Sequence, residues 1–173
     1  IDVYDNYVVG NQGRRFNGAY AMYIDVHAYE DAFVSARYNN VDSEGASGIN
    51  VNLASGDYAD LELYGNSVRA SENGIGVYVD SYDTYVTVDW NDIWAFNKGL
   101  SVTAAEGSYV ELDIVDNLFR AIENVVIWLR ALDDAEIEYF IMGNDYRYIP
   151  YVDQVEKVVE EEIDGGVIQP WIP

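Results

Sequence analysis

The chain has 173 residues and no cysteine, which excludes disulfide bonds and thiolate metal sites. Its 31 acidic residues against 9 basic ones give a formal net charge of −22, which excludes the basic surface that nucleic-acid binding needs. Half of the residues are hydrophobic, and no apolar run approaches the ~18 residues of a membrane helix, so we expect one well-packed domain without membrane insertion.

A repeated apolar pattern around an asparagine begins at the first residue. Its skeleton is Φ-x-Φ-x-x-Asn-x-Φ, where Φ is apolar and x is any residue. Alternation of apolar and polar residues indicates a β-strand, so each copy predicts a short strand that ends at an asparagine corner. The asparagines follow one another at intervals of 33, 27, 25, 26 and 27 residues: Asn6, Asn39, Asn66, Asn91, Asn117 and Asn144.

A second pattern lies between the asparagines. It reads Gly-Φ-x-Φ-x-Φ and begins at Gly48, Gly74 and Gly99, and again at Asn124, where asparagine replaces glycine. Each unit of about 26 residues therefore holds at least two strands. Because neither strand has a hairpin partner beside it in sequence, we expect each to pair with its copy in the next unit. Repeats of this length indicate a solenoid.

Two kinds of solenoid share the asparagine pattern. A leucine-rich repeat would need a helix or 3₁₀ turn where this chain has the glycine-led strand, and a further leucine eight residues before the asparagine. The apolar residues are mostly Val and Ile, which favour strands, so we prefer a parallel β-helix. Eight residues before the last five asparagines, the chain has no leucine and instead holds Asp31, Tyr58, Asp83, Tyr109 and Glu136.

The repeat units resemble those of right-handed parallel β-helix proteins, in particular the pectate-lyase-like and NosD-like surface families. The resemblance covers nearly the whole chain and implies an all-β fold of about six coils over residues 1–150. The asparagine column is then expected at a tight corner. There each side chain would bond backbone groups of adjacent coils, and the asparagine would supply the left-handed conformation that the corner needs.

The segment after the last repeat has a different pattern. Apolar residues recur there at helical spacing, at Val152, Val155, Val159 and Ile163. Pro150 precedes them and Gly165 follows, as at a helix start and stop. They predict a short capping helix within 151–173, in the same domain as the coils. A helix followed by Gly-x-Val-x-x-Pro-Trp resembles the closing segment of NosD-like proteins.

Three carboxylates are candidates for a site. Glu62, Asp89 and Asp113 are expected at outward positions of successive coils, about 5–7 Å apart. Stacked carboxylates repel one another unless a cation lies between them, and their oxygens suit Ca²⁺. The resemblance to pectate-lyase-like enzymes implies such an acidic Ca²⁺ cleft with a nearby basic residue, here Arg37. The alternatives are a catalytic carboxylate pair for glycoside cleavage and a solvated acidic face.

Other ligand-binding candidates are aromatic or basic. Outward rings at Tyr64, Tyr78 and Trp128 could stack on sugars, or could instead pack under loops or against another subunit. Arg14 and Arg15 lie in a polar insertion over residues 10–17 and could contact an anion or carboxylate. The single histidine, His27, cannot form a metal cluster with a second histidine or a cysteine, so the copper site implied by NosD-like proteins finds no ligands.

These observations predict a structural rod more strongly than an enzyme. High acidity with only two lysines suits a cation-rich exterior, although solubility alone would also explain it. The first coil begins at Ile1 with an apolar side uncovered, so we expect preceding chain or another subunit to cover it. We therefore predict an extracellular or cell-surface segment that assembles or binds neighbours, with Ca²⁺ as an optional stabiliser. The alternative is a carbohydrate-active domain: a polysaccharide lyase, a glycoside hydrolase or a glycan-binding module.

Overall fold

The computed structural model describes residues 1–10, 20–120, 122–147 and 156–171. This part of the chain contains no helix, and hence none long and apolar enough to cross a membrane. Its strands, in chain order, are β1 (Asp2–Tyr4), β2 (Tyr7–Gly10), β3 (Tyr20–Ala28), β4 (Ala32–Arg37), β5 (Asn40–Ser43), β6 (Ser47–Tyr64), β7 (Ser67–Ala70), β8 (Ile75–Asp89), β9 (Asp92–Ala95), β10 (Lys98–Ala104), β11 (Tyr109–Val115), β12 (Leu118–Arg120), β13 (Val125–Leu132), β14 (Glu136–Met142), β15 (Asp145–Arg147), β16 (Glu156–Ile163) and β17 (Val167–Pro170).

The strands form three faces through which the chain passes in turn. Face A contains β1, β4, residues 58–64 of β6, residues 83–89 of β8, β11, β14 and β17. Face B contains β2, β5, β7, β9, β12 and β15. Face C contains β3, residues 47–55 of β6, residues 75–81 of β8, β10, β13 and β16.

Every strand pairs in parallel with its equivalent one turn away, so the predicted parallel β-solenoid is confirmed. About five turns separate the first corner asparagine from the last, against the six coils expected. The leucine-rich alternative fails because the glycine-led segments are the strands of face C, and no helix is present in the described residues.

The core consists of inward columns in which similar residues stack from turn to turn. Leu61, Val86 and Leu112 stack in register on face A and are at most 1 % exposed. Face B contributes Ile93 and Phe119 in the same way. The closely packed inward side chains determine the register of every strand, and this register fixes which outward residues are neighbours on adjacent strands.

The asparagine column is a continuous hydrogen-bonded ladder, as predicted. The Oδ1 of Asn91 accepts both the backbone N–H and the Nδ2–H of Asn66, each at 2.9 Å. The Nδ2 of Asn91 in turn donates to Asn117 Oδ1 at 3.0 Å and to the Leu63 carbonyl at 2.8 Å. The side chains therefore satisfy buried backbone groups at the corner between faces A and B. Four asparagines of this column are only 1 % exposed: Asn39, Asn66, Asn91 and Asn117.

The left-handed residue of this corner is the one before the asparagine, so that detail of the prediction is wrong. The asparagine itself is needed for its side-chain amide, and the preceding residue turns the chain. The residues directly before the corner asparagines all have φ between 51° and 69°: Asp5, Tyr38, Gly65, Trp90, Asp116 and Gly143. A side chain in this conformation costs roughly 1–2 kcal/mol, which hydrogen bonds at the corner offset.

The prediction of a capping helix is wrong for the part of this segment that the structure describes. Residues 151–155 lie outside the described part, and Glu156–Ile163 is strand β16, paired in parallel with β13. The spacing of Val159 and Ile163 misled the prediction, because a separation of four residues keeps side chains on one side of a strand as well as of a helix. Pairing with β13 also gives the backbone of this segment its hydrogen bonds.

Strand β16 places carboxylates where earlier coils have core residues. Glu160 and Glu162 are in register with the buried Leu129 and Ala131 of β13. Glu160 accepts a hydrogen bond from the Tyr139 hydroxyl at 2.6 Å, and Glu162 accepts one from the Ile168 N–H at 2.9 Å. Carboxylates at these positions oppose the stacking of a further apolar coil on β16.

Candidate functional site

Nine of the outward positions of face A carry carboxylates. Arg37 is the only cation at these positions in the described strands of this face. The face is therefore strongly negative, and it accounts for a large share of the overall charge. The carboxylates at its outward positions are Asp2, Asp60, Glu62, Asp83, Asp89, Glu111, Asp113, Glu136 and Glu138.

The three carboxylates predicted to stack do not lie in one column. Glu62 is in register with Thr87, and Thr87 with Asp113, so those two acids are two strands, or about 10 Å, apart. Asp89 is in register with Tyr64 and belongs to the next column. The stacking prediction is wrong because Asp89 precedes its asparagine by two residues and the others precede theirs by four. Within the described residues, no cluster of three or more acidic or histidine side chains could hold a metal ion.

The predicted residues in the first half of face A make local contacts. The Arg37 guanidinium donates to the Glu62 carboxylate through Nε at 2.6 Å, and Ser35 Oγ donates to the same oxygen at 3.3 Å. The ring of Tyr64 packs edge-on against Tyr38, with centroids 5.4 Å apart. Glu62 is thus neutralised within the chain. Arg37 and Tyr64 do not meet Tyr78 or Trp128, which lie on face C.

Asp89 is a carboxylate in unfavourable surroundings. Its Oδ1 is buried without a hydrogen-bond partner in the described structure. Burial first, and then the neighbouring Asp116 carboxylate, raise the pKa of Asp89. The ionised form of this side chain therefore opposes folding.

Replacing Asp89 with Asn is expected to stabilise the fold at neutral pH. The raised folded-state pKa means that Asp89 destabilises increasingly as the pH rises from its unfolded value of about 3.9 through its folded value. Asparagine carries no charge, so the gain should be present at about pH 7 and fade near about pH 3. Urea titrations of both proteins at the two pH values measure it. An equal difference at both values would contradict the electrostatic cause.

The second half of face A contains a small pocket of about 240 Å³. Both aromatic rings and carboxylates line it. Phe140 and Trp171 meet edge to face at 5.8 Å, and the Tyr85 hydroxyl donates to Asp113. The lining residues are Tyr85, Glu111, Asp113, Glu138, Phe140 and Trp171.

Face C contains a wider groove of about 700 Å³. One outward column runs along it and continues onto the next strand, reading Tyr23, Asn50, Gly76, Ser101 and Trp128. Small polar residues therefore lie between an aromatic ring at each end, over about 19 Å. The groove itself is lined by Tyr20, Tyr23, Asn50, Asn52, Gly76, Val77, Tyr78, Ser101 and Thr103, none of which is charged at neutral pH.

The aromatic rings of face C are held in place. Tyr20 and Tyr23 stack with centroids 5.7 Å apart and planes 18° from parallel. Tyr78 is 40 % exposed beside them, and the Lys98 ammonium lies over the ring of Trp128. Burial lowers the pKa of Lys98. These fixed and partly exposed rings offer flat apolar surfaces beside amide and hydroxyl groups.

Sequence reasoning identified only part of these two sites. Asp113 of the pocket, Tyr78 of the groove and Trp128 on the next strand were predicted, and Arg14 and Arg15 lie outside the described residues. Most of the missed groove residues are at the alternate positions of the glycine-led pattern, such as Asn50 and Ser101. The missed pocket residues are Tyr85, Glu111, Glu138, Phe140 and Trp171.

Comparison of the chain with protein-family models, with curated proteins and with solved structures finds no match in any of the three.

Proposed function

We propose that this chain is a rigid rod, outside the cell or on its surface, that binds a neutral polysaccharide along face C. The observation that carries the proposal is the groove that Tyr23, Asn50 and Ser101 line with other uncharged residues, with Trp128 on the next strand. Sugar rings present apolar C–H faces and a border of hydroxyl groups. Exposed aromatic rings complement the faces, and amide and hydroxyl side chains complement the border.

Charge supports a neutral ligand rather than an anionic one. The net charge of −22 would repel a polyuronate or a nucleic acid at a distance. The residues that line the groove include no arginine or lysine, and the cations Lys98 and Arg130 lie beyond it, at the ring of Trp128. It also contains no carboxylate pair for glycoside cleavage, and this supports binding rather than hydrolysis.

The solenoid supports the proposal because it fixes the groove before the ligand arrives. Asn50, Gly76 and Ser101 lie on three hydrogen-bonded strands above a buried core. A binding surface that is already ordered loses little conformational entropy on association. The acidic, lysine-poor surface suits the ionic exterior in which such polymers occur.

Trp128→Ala is expected to weaken binding of a soluble neutral glucan about three- to tenfold, because one stacking surface is lost. Trp94→Ala is the matched control: Trp94 is likewise a tryptophan beside a cation, Arg69, but it lies exposed on face B. Its affinity should equal that of the unmodified chain. Titration calorimetry with the glucan, and with polygalacturonate as the anionic comparison, measures both effects.

Two results would contradict the proposal. One is that no neutral glycan from a panel of glucans, xylans and mannans binds, while the chain has a cooperative unfolding transition. The other is that Trp94→Ala and Trp128→Ala reduce binding equally, because the contact would then not depend on face C.

A further inference from the structure

The pocket on face A is lined by two kinds of side chain, carboxylates and aromatic rings. Tyr85, Glu111 and Glu138 follow one another in one outward column. Asp113 and Phe140 follow one another in the adjacent column, and the ring of Trp171 lies against Phe140. The cavity of about 240 Å³ therefore has both carboxylates and aromatic rings in each of the two columns, and Trp171 adds a ring beside Phe140.

The carboxylates of the pocket have no cationic partner in the described structure. Glu138 accepts hydrogen bonds from the Tyr109 hydroxyl at 2.9 Å and from Gln169 Nε2 at 2.8 Å. Asp113 accepts one from Tyr85. Burial and hydrogen bonding to Glu138 raise the pKa of Tyr109, so its hydroxyl remains a neutral donor. These bonds position the carboxylates and leave their negative charge uncompensated.

The aromatic rings determine which cation suits the pocket. Phe140 and Trp171 hold each other at an interplanar angle of 75°, which fixes the orientation of both rings at the cavity. Aromatic faces attract poorly hydrated organic cations, whereas a metal ion requires several oxygen ligands in its first shell. The described residues contain no group of acidic side chains close enough for such a shell.

We propose that this pocket binds a small alkylammonium cation, such as a choline-type quaternary ammonium group. The positive charge would lie between the rings of Phe140 and Trp171 and the carboxylates of Glu111 and Asp113. A quaternary ammonium group donates no classical hydrogen bond, which agrees with carboxylates that already accept bonds from tyrosine hydroxyls. This site is on a different face from the groove and does not depend on glycan binding.

The test is a calorimetric titration of the full chain with choline chloride, with Trp171 fluorescence as a second signal. Phe140→Leu is expected to weaken binding about three- to fivefold, because it removes one cation–π surface. Glu111→Gln should weaken it about two- to fivefold through loss of charge. Matched controls are Tyr82→Leu, which removes a 77 % exposed ring elsewhere, and Glu44→Gln, which removes an exposed carboxylate elsewhere.

Two further titrations decide between causes. The neutral choline isostere 3,3-dimethylbutanol should bind clearly more weakly than choline, and equal binding would overturn the proposal in favour of a simple apolar pocket. Calcium chloride should not displace choline beyond the effect of equal ionic strength, and specific displacement would overturn it in favour of a metal site. Absence of saturable choline binding at millimolar concentration, with an unchanged unfolding midpoint, would also overturn it.

Discussion

Asn91→Ala is expected to lower the free energy of unfolding by about 3–5 kcal/mol, because several buried groups lose their partners together. The backbone N–H and the side chain of Asn66 lose their acceptor, and the Leu63 carbonyl loses a donor. Alanine cannot replace any of these bonds. Since Asn91 is 1 % exposed, water does not reach the groups it leaves behind.

Urea denaturation followed by circular dichroism measures this effect. The matched control is Asn124→Ala, which removes an exposed asparagine whose Nδ2 donates only to Asn97. That variant should lose no more than about 1 kcal/mol, the net contribution of an exposed hydrogen bond. A similar loss in both variants would show that burial of the ladder does not determine its contribution.

Gly74→Ala is expected to destabilise the fold by about 2–3 kcal/mol through overpacking. A Cβ on Gly74 would lie 2.6 Å from the carbonyl oxygen of Gly99 on the next turn, and it would also meet the side chain of Ile93. Gly99 lies in β10, which pairs with β8 on one side and β13 on the other, so its oxygen cannot move without shifting a coil. The closeness of the coils, rather than an unusual φ angle, requires glycine here.

Gly76→Ala is a close control two residues along the chain. Its added Cβ would meet the Oδ1 of Asn50 at 2.7 Å, and this amide lies on the outward side of face C, where it can rotate away. We expect a change below about 1 kcal/mol, because the strand backbone does not have to move. If both variants unfolded at the same denaturant concentration, strand propensity rather than coil spacing would explain the Gly74 effect.

The sequence was sufficient to predict the solenoid because its structural residues repeat. The corner asparagines stack on one another, and so do Gly48, Gly74 and Gly99. The interval between repeats was therefore enough to predict which strands pair. Strand β16 could not be predicted in this way, because it has glutamates where the preceding copy has Leu129 and Ala131, and they resembled the polar side of a helix.

The candidate sites were harder to predict because outward residues do not repeat. Nothing in the local pattern marks Glu111 or Phe140, and their proximity appears only when two adjacent columns are aligned. The predicted carboxylate trio failed at this step, since an offset of two residues along the strand places Asp89 in a different column from Glu62. Register within the unit, rather than residue type, was the missing information.

The orientation of the hydrogen bonds determines how the rod responds to force. Asn66, Asn91 and Asn117 each donate to the asparagine of the following turn and to a backbone carbonyl of the preceding turn, and the strand hydrogen bonds also run from turn to turn, along the solenoid axis. Tension between the two ends therefore loads the turns in series. Each turn contacts only its neighbours, so we expect a terminal coil to peel away at low force and the rest to follow stepwise. Force applied across the axis would instead be carried by the covalent chain of each coil, and the rod would resist it far better.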